Sequence, residues 1–94
     1  MRITLLQTDI VWEDKEANLS KLHTFLQQLS GSTDLVVVPE MFSTGFSMNS
    51  NELAESNDGN TMSLLKAWCG NYHLALAGSF IAIGKGGKEY NRGF

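Results

Sequence analysis

The sequence predicts an α/β fold, and two features carry the prediction. The first is the run Leu35-Val36-Val37-Val38, four apolar residues without alternation. A strand with one wet face alternates polar and apolar positions, so this run reads as a short strand buried on both faces. The second is the order that leads to it. A strand pattern, an amphipathic helix and this buried strand follow one another over the length of a βαβ unit, with the two strands expected to be parallel neighbours.

Residues Arg2 to Thr8, with Ile3, Leu5 and Leu6, form the first expected strand. Gln7, Asp9 and Trp12 fall at its C-terminal end and in the loop beyond. Asp14 is the expected N-cap of the next helix, because its carboxylate can accept from a free N–H of the first turn. Glu16 adds negative charge there. Leu19, Leu22, Phe25, Leu26 and Leu29 recur at helical spacing, while Lys15, Lys21, Gln27 and Gln28 fill other faces. The spacing predicts a helix over residues 15–30, ended by Gly31. His23 lies off the main apolar stripe and reads as a solvated helix residue.

Ser32-Thr33-Asp34 turns the chain into the buried strand. Pro39 ends that strand, having no N–H to give to a ladder. Glu40 follows, a carboxylate at the C-terminal tip, where sheets layered with helices gather reactive groups. Residues 41–59 show no strong period, apart from a helical turn expected over Glu52 to Glu55. A polar loop of this length is uncommon in a compact domain, and its start at Glu40 marks it as the wall or lid of a site.

Thr61 or Asn60 is the expected cap of a second helix running to about Asn71, with Leu64, Leu65, Trp68 and Tyr72 as its apolar stripe. Leu74 to Ile83 reads as one buried strand rich in small residues. Gly84-Lys85-Gly86-Gly87-Lys88 is a hairpin loop; it lacks the frame and spacing of a phosphate loop. Another strand begins at Glu89. The expected total is about four strands and two helices.

The chain has 94 residues, 43% hydrophobic and 18% charged, which suits one globular domain at most. A net charge of −3 with no basic cluster speaks against nucleic acid or an anionic membrane as partner. No apolar run reaches the ~20 residues of a membrane span. The N-terminus enters a strand pattern without the apolar segment of a secretory signal, and a single cysteine, Cys69, excludes an internal disulfide. A cytoplasmic setting is expected. No Cys/His spacing suggests zinc.

Glu40 is the candidate catalytic residue. Met41 and Phe42 beside it would desolvate the carboxylate and raise its pKa toward that of a general base near neutral pH. Both are also candidate substrate-binding residues. The plainer alternative is a solvated, inert carboxylate. Cys69 stands at the end of a helix, where the dipole disfavours a thiolate, and reads as core filler. His73 has no partner at ligand spacing.

Several of these residues together resemble the nitrilase (carbon–nitrogen hydrolase) superfamily. They are Gln7, Asp9, Trp12, Asn18 and, above all, Val37-Val38-Pro39-Glu40-Met41-Phe42 with its continuation Ser43-Thr44-Gly45-Phe46-Ser47-Met48. Ala77-Gly78-Ser79 and Asn91-Arg92 fit as well. The stretch looks closest to the bacterial omega-amidase branch. The resemblance implies an α-β-β-α sandwich that hydrolyses amides or nitriles without metal or cofactor. It implies a Glu–Lys–Cys triad in which Glu40 is the base, the Lys stabilises the oxyanion and the Cys forms a thioester. The implied substrate is the terminal amide of a small 2-oxo acid, such as 2-oxoglutaramate, or of a dicarboxylate monoamide.

The family's Lys and Cys would both fall beyond Phe94. Lys85 and Lys88 precede the relevant strand, and Cys69 is in the wrong element. Residues 1–94 are therefore expected to be a single, truncated N-terminal segment of a carbon–nitrogen hydrolase domain, inactive alone. Residues meant to face an absent sheet would be exposed, which favours self-association into a homo-oligomer. The alternatives are a non-catalytic α/β module that binds a small molecule or partner through residues 41–59, and a self-associating fragment.

Overall fold

A computed structural model describes the chain from Met1 to Phe94, apart from the side chain of Lys85. The elements in order are β1 (Ile3–Leu5), α1 (Lys15–Leu29), β2 (Leu35–Val37), α2 (Ser50–Leu53), α3 (Asn60–Tyr72), β3 (Ala75–Ala77), β4 (Ser79–Ile83) and β5 (Glu89–Gly93). The first three strands form a parallel sheet in the order β1-β2-β3, so the Val-rich strand is central. The last two form an antiparallel hairpin. No described helix is long and apolar enough to cross a membrane.

α1 begins where Asp14 accepts a hydrogen bond from the Ala17 N–H at 3.0 Å, as its sequence predicts. Gly31, just past its end, takes φ +85°, a left-handed value that glycine adopts without a Cβ penalty. Leu19, Leu22 and Leu26 from α1 meet Val36 and Val38, with Leu65 and Trp68 from α3, in one core. Each such buried side chain contributes about 1.5–3 kcal/mol.

The central strand departs from expectation. Val36 and Val38 are buried, but Leu35 and Val37 are only half-buried. Both helices supply core to the same side of the sheet. The opposite face aligns Ile3, Leu35 and Ala75 in one row and Leu5, Val37 and Ala77 in the next. There Ile3 is 57% and Leu5 75% exposed.

The single strand expected over Leu74 to Ile83 is two strands, and the count rises to five strands and three helices. The chain passes between sheets at Gly78. A Cβ at this position would stand 2.4 Å from Val38 Cγ2 and 3.0 Å from Phe94 Cζ. Gly78→Ala is accordingly expected to destabilise by about 2–3 kcal/mol, read from the urea midpoint. An unchanged midpoint would mean that Val38 moves aside freely.

α3 also starts differently. Its N-cap is Gly59, which has no side chain to offer. Glu55 does the capping from outside the helix. It accepts from the Thr61 N–H at 3.0 Å, from the Thr61 hydroxyl, and pairs with Lys15 Nζ at 3.0 Å. Its backbone bonds Ile81 and Ile83 of β4 at 3.0 and 2.8 Å. α1, α3 and the hairpin thus meet at one carboxylate.

Burial pushes the Glu55 carboxyl up, but the Thr61 and Lys15 hydrogen bonds outweigh it and hold the group below its ordinary 4.5. A carboxyl depressed in the folded state stabilises it above the unfolded pKa, and that stability is lost as pH falls through the folded value. Melting temperature should therefore fall as pH drops below 4.5, and less steeply in Glu55→Gln. Equal slopes in the two proteins would remove Glu55 from the account.

His23 is not the solvated residue its position suggested. Its ring stacks on Trp68 at 4.7 Å and 8°, and Nε2 lies 2.8 Å from the Tyr72 hydroxyl. The α1 stripe is wider than its leucines imply, because α3 crosses over it with two aromatic rings.

Candidate active site

Past Pro39 the chain makes a tight turn. Met41 has φ +53°, a left-handed conformation that a residue with a Cβ holds at a cost of about 1–2 kcal/mol. Thr44 and Gly45 N–H both return to the Met41 carbonyl, at 3.2 and 2.7 Å. Such a turn persists only when its surroundings hold it. β4 does so from one side: Ser79 Oγ accepts from the Met41 N–H at 3.0 Å, and the Ser79 carbonyl from Phe42 N–H at 3.3 Å.

Asn18 holds it from the other side. This side chain of α1 is 5% exposed. Its Nδ2 donates to the carbonyls of Ser43 (2.7 Å) and Val11 (2.8 Å), and its Oδ1 accepts from Val11 N–H at 2.8 Å. The Glu13 N–H donates to the Thr44 carbonyl at 2.7 Å, and the Ser47 hydroxyl donates to the Glu13 carboxylate. Trp12 Nε1 donates to the Phe46 carbonyl at 2.8 Å. The loop after β1 and the loop after β2 are therefore one stitched unit.

Glu40 sits at the head of this turn, beyond the end of the central strand. Its Oε2 accepts from Asn91 Nδ2 of β5 at 2.6 Å. The desolvation expected of this carboxylate is not provided here: Glu40 is exposed. Phe42 points away from it into the core, 3% exposed, with its ring edge-on to Phe94 at 5.8 Å. At that burial it does not shield the exposed carboxylate, and it presents almost no surface in this chain. Half-buried Met41 does line a hollow of about 140 Å³, with Ser47, Ser50, Ile81, Tyr90 and Asn91.

Cys69 belongs to a different hollow, among Met62, Leu65, Leu76 and Phe94. Burial pushes its thiol up, which keeps it protonated and inert. His73 is exposed and closes α3 in a left-handed conformation. Among the described residues no three His, Cys, Asp or Glu gather to hold a metal.

Reading the residues one by one assigned no role to Ser79 or Asn91. Asn91 stands 51 positions from Glu40, and no local pattern announces a partner at that range. The only signal is indirect: a small polar residue just after Gly78, and an amide on the strand that returns beside it.

The chain matches the Carbon-nitrogen hydrolase family over residues 2–94. It is 35% identical to the omega-amidase YafV of Escherichia coli over 94 residues, covering 98% of this chain and 35% of that protein. It is 29% identical to the 2-oxoglutaramate amidase of Bacillus subtilis over 90 residues, covering 95% and 35%. Among solved structures, XC1258 of Xanthomonas campestris, a CN-hydrolase superfamily protein, superposes with a TM-score of 0.91 at 32% identity, covering 98% of this chain and 34% of that one. The chain thus spans 34–35% of the length of these three relatives. Its strands and helices follow the nitrilase-superfamily fold, and with a match running from Arg2 to Phe94 the chain belongs to the carbon–nitrogen hydrolase family.

Proposed function

We propose that this chain supplies the general base of an amidohydrolase that cleaves the terminal amide of a small 2-oxo acid or dicarboxylate monoamide. One observation supports it above the others. Glu40 stands in the turn just past the C-terminal end of the central parallel strand, tied through Oε2 and with Oε1 unpaired among the described residues. A carboxylate so placed can accept a proton from a thiol. The thiolate then attacks the amide carbon, and a lysine ammonium stabilises the oxyanion of the tetrahedral intermediate. Ammonia leaves with the proton returned by Glu40. The carboxylate next takes a proton from water, which opens the thioester and frees the acid.

In this reading the Lys and Cys come from the rest of a longer protein, and residues 1–94 alone do not turn over substrate. The reading also accounts for two features of the fold. The bare apolar face of Ile3, Leu5 and Val37 becomes the seat of a second sheet, and the exposed Glu40 becomes enclosed once the remainder packs over it.

The test is ammonia release by the full-length protein from 2-oxoglutaramate, a dicarboxylate monoamide, an aliphatic nitrile and an N-carbamoyl amino acid. The amides should lead the nitrile in kcat/KM by roughly a hundredfold or more, since a site that hydrogen-bonds an amide rejects an analogue lacking its carbonyl and N–H groups. No ammonia from either amide would defeat the proposal, and none from any of the four compounds would leave the non-catalytic α/β module in its place.

A further inference from the structure

We infer that Asn91 is a positioning residue for Glu40. It fixes one carboxylate oxygen so that the other faces the reacting proton. The inference rests on the reading of Glu40 as a general base and adds to it a residue that acts through that base.

The hairpin register supplies the geometry. Ile81 pairs with Asn91 and Ser79 with Gly93, so Ser79, Ile81 and Asn91 stand on one face of β4–β5. Two side chains from that single face reach the Glu40 turn. Ser79 Oγ accepts from the Met41 N–H at 3.0 Å, which fixes the backbone just after the base. Asn91 Nδ2 donates to Glu40 Oε2 at 2.6 Å, which fixes the carboxylate itself. Chemistry settles the orientation of the amide, because an ionised carboxylate can only accept. Glu40 is exposed and long, so without a tether its three side-chain torsions would be free. The tether occupies one oxygen and leaves Oε1 available.

The choice of an amide also has a physical reason. Asn does not titrate, so it donates at every pH at which the carboxylate is charged. It brings no charge of its own to compete with the base. An exposed Asn on a hairpin strand usually bonds to water. This one instead spans 51 positions of sequence to reach a carboxylate that the same hairpin already grips at the neighbouring backbone.

The experiment uses the full-length protein and four variants: Glu40→Gln, Asn91→Ala, Asn91→Asp and Glu40→Gln/Asn91→Ala. Asn91→Ala should lower kcat roughly ten- to a hundredfold, with KM within about twofold, because misdirecting a reacting group costs rate rather than binding. Asn91→Asp keeps the shape but removes the donor, and should lose at least as much. A role in shape alone would leave Asn91→Asp active. The rate of iodoacetamide alkylation of the nucleophilic thiol gives a second readout that survives loss of turnover. There Asn91→Ala should have no further effect once Glu40 is Gln, since a residue acting through Glu40 has nothing left to act on.

If Glu40→Gln retains turnover, the base assignment fails and this inference falls with it. If Glu40→Gln loses turnover while both Asn91 variants keep kcat within about twofold, the inference alone is overturned. Additive effects in the double variant would likewise overturn it, by assigning Asn91 a structural role.

Discussion

In the full-length protein, Glu40→Gln is expected to lower kcat by about three orders of magnitude while the fold persists. Gln has the same shape, and its carbonyl oxygen can still accept from Asn91. What it cannot do is take up a proton at neutral pH. The loss should therefore fall on the chemical step, with KM little changed. Stability should hardly move, because Glu40 is exposed and, among the described residues, makes one side-chain hydrogen bond, to a residue that is itself exposed. Steady-state kinetics with a parallel melting curve separates the two effects. A kcat within tenfold of the parent would show that the proton goes elsewhere and that Glu40 is the inert strand-end carboxylate of the plainer reading.

Asn18→Ala is expected to be the most damaging single change to the framework, at about 3–4 kcal/mol. Three hydrogen bonds vanish together: from Val11 N–H, to the Val11 carbonyl and to the Ser43 carbonyl. The side chain is 5% exposed, so water does not easily replace them. Unsatisfied buried groups, rather than lost attraction, set the size of the effect. Asn18→Asp should not recover the loss: one carboxylate oxygen can still accept from Val11 N–H, but the other is a buried charge facing the Val11 and Ser43 carbonyls, to which it cannot donate. Chemical denaturation ranks the three proteins. If Asn18→Ala melts within about 1 kcal/mol of the parent, the loops after β1 and β2 are held by other contacts.

The second consequence of Asn18→Ala is functional. Releasing Ser43 loosens the turn that carries Met41 at φ +53°, and a strained residue relaxes when its surroundings stop holding it. Stability and the placement of Glu40 are linked through this one amide.

Much of the framework was legible in local pattern. The i, i+3, i+4 leucines located α1, and Asp14 marked its first residue. The valine run and Pro39 located the central strand and the position of Glu40. The glycines of 84–87 located the hairpin turn. These signals are local: helical periodicity, a missing N–H and a left-handed turn each act within a few residues.

Other features have no local signature. A glycine in a run of small residues does not say that the chain changes sheets there; the Val38 side chain, brought within 2.4 Å of a would-be Cβ, says it. Glu55 reads as the end of a short helical turn until Lys15 and Thr61 arrive from two other helices. His23 reads as solvated until Trp68 crosses it.

By itself the sequence determined the βαβ order, the valine strand and the carboxylate that follows it, because each depends on neighbours along the chain; that one face of this strand stays open was not legible there. Only the tertiary structure decided what surrounds that carboxylate: Phe42 turned inward, Ser79 beneath the turn, and Asn91 on the carboxylate oxygen. Those contacts join residues dozens of positions apart, and they exist only once sheet register and helix crossing have brought the side chains into hydrogen-bond range.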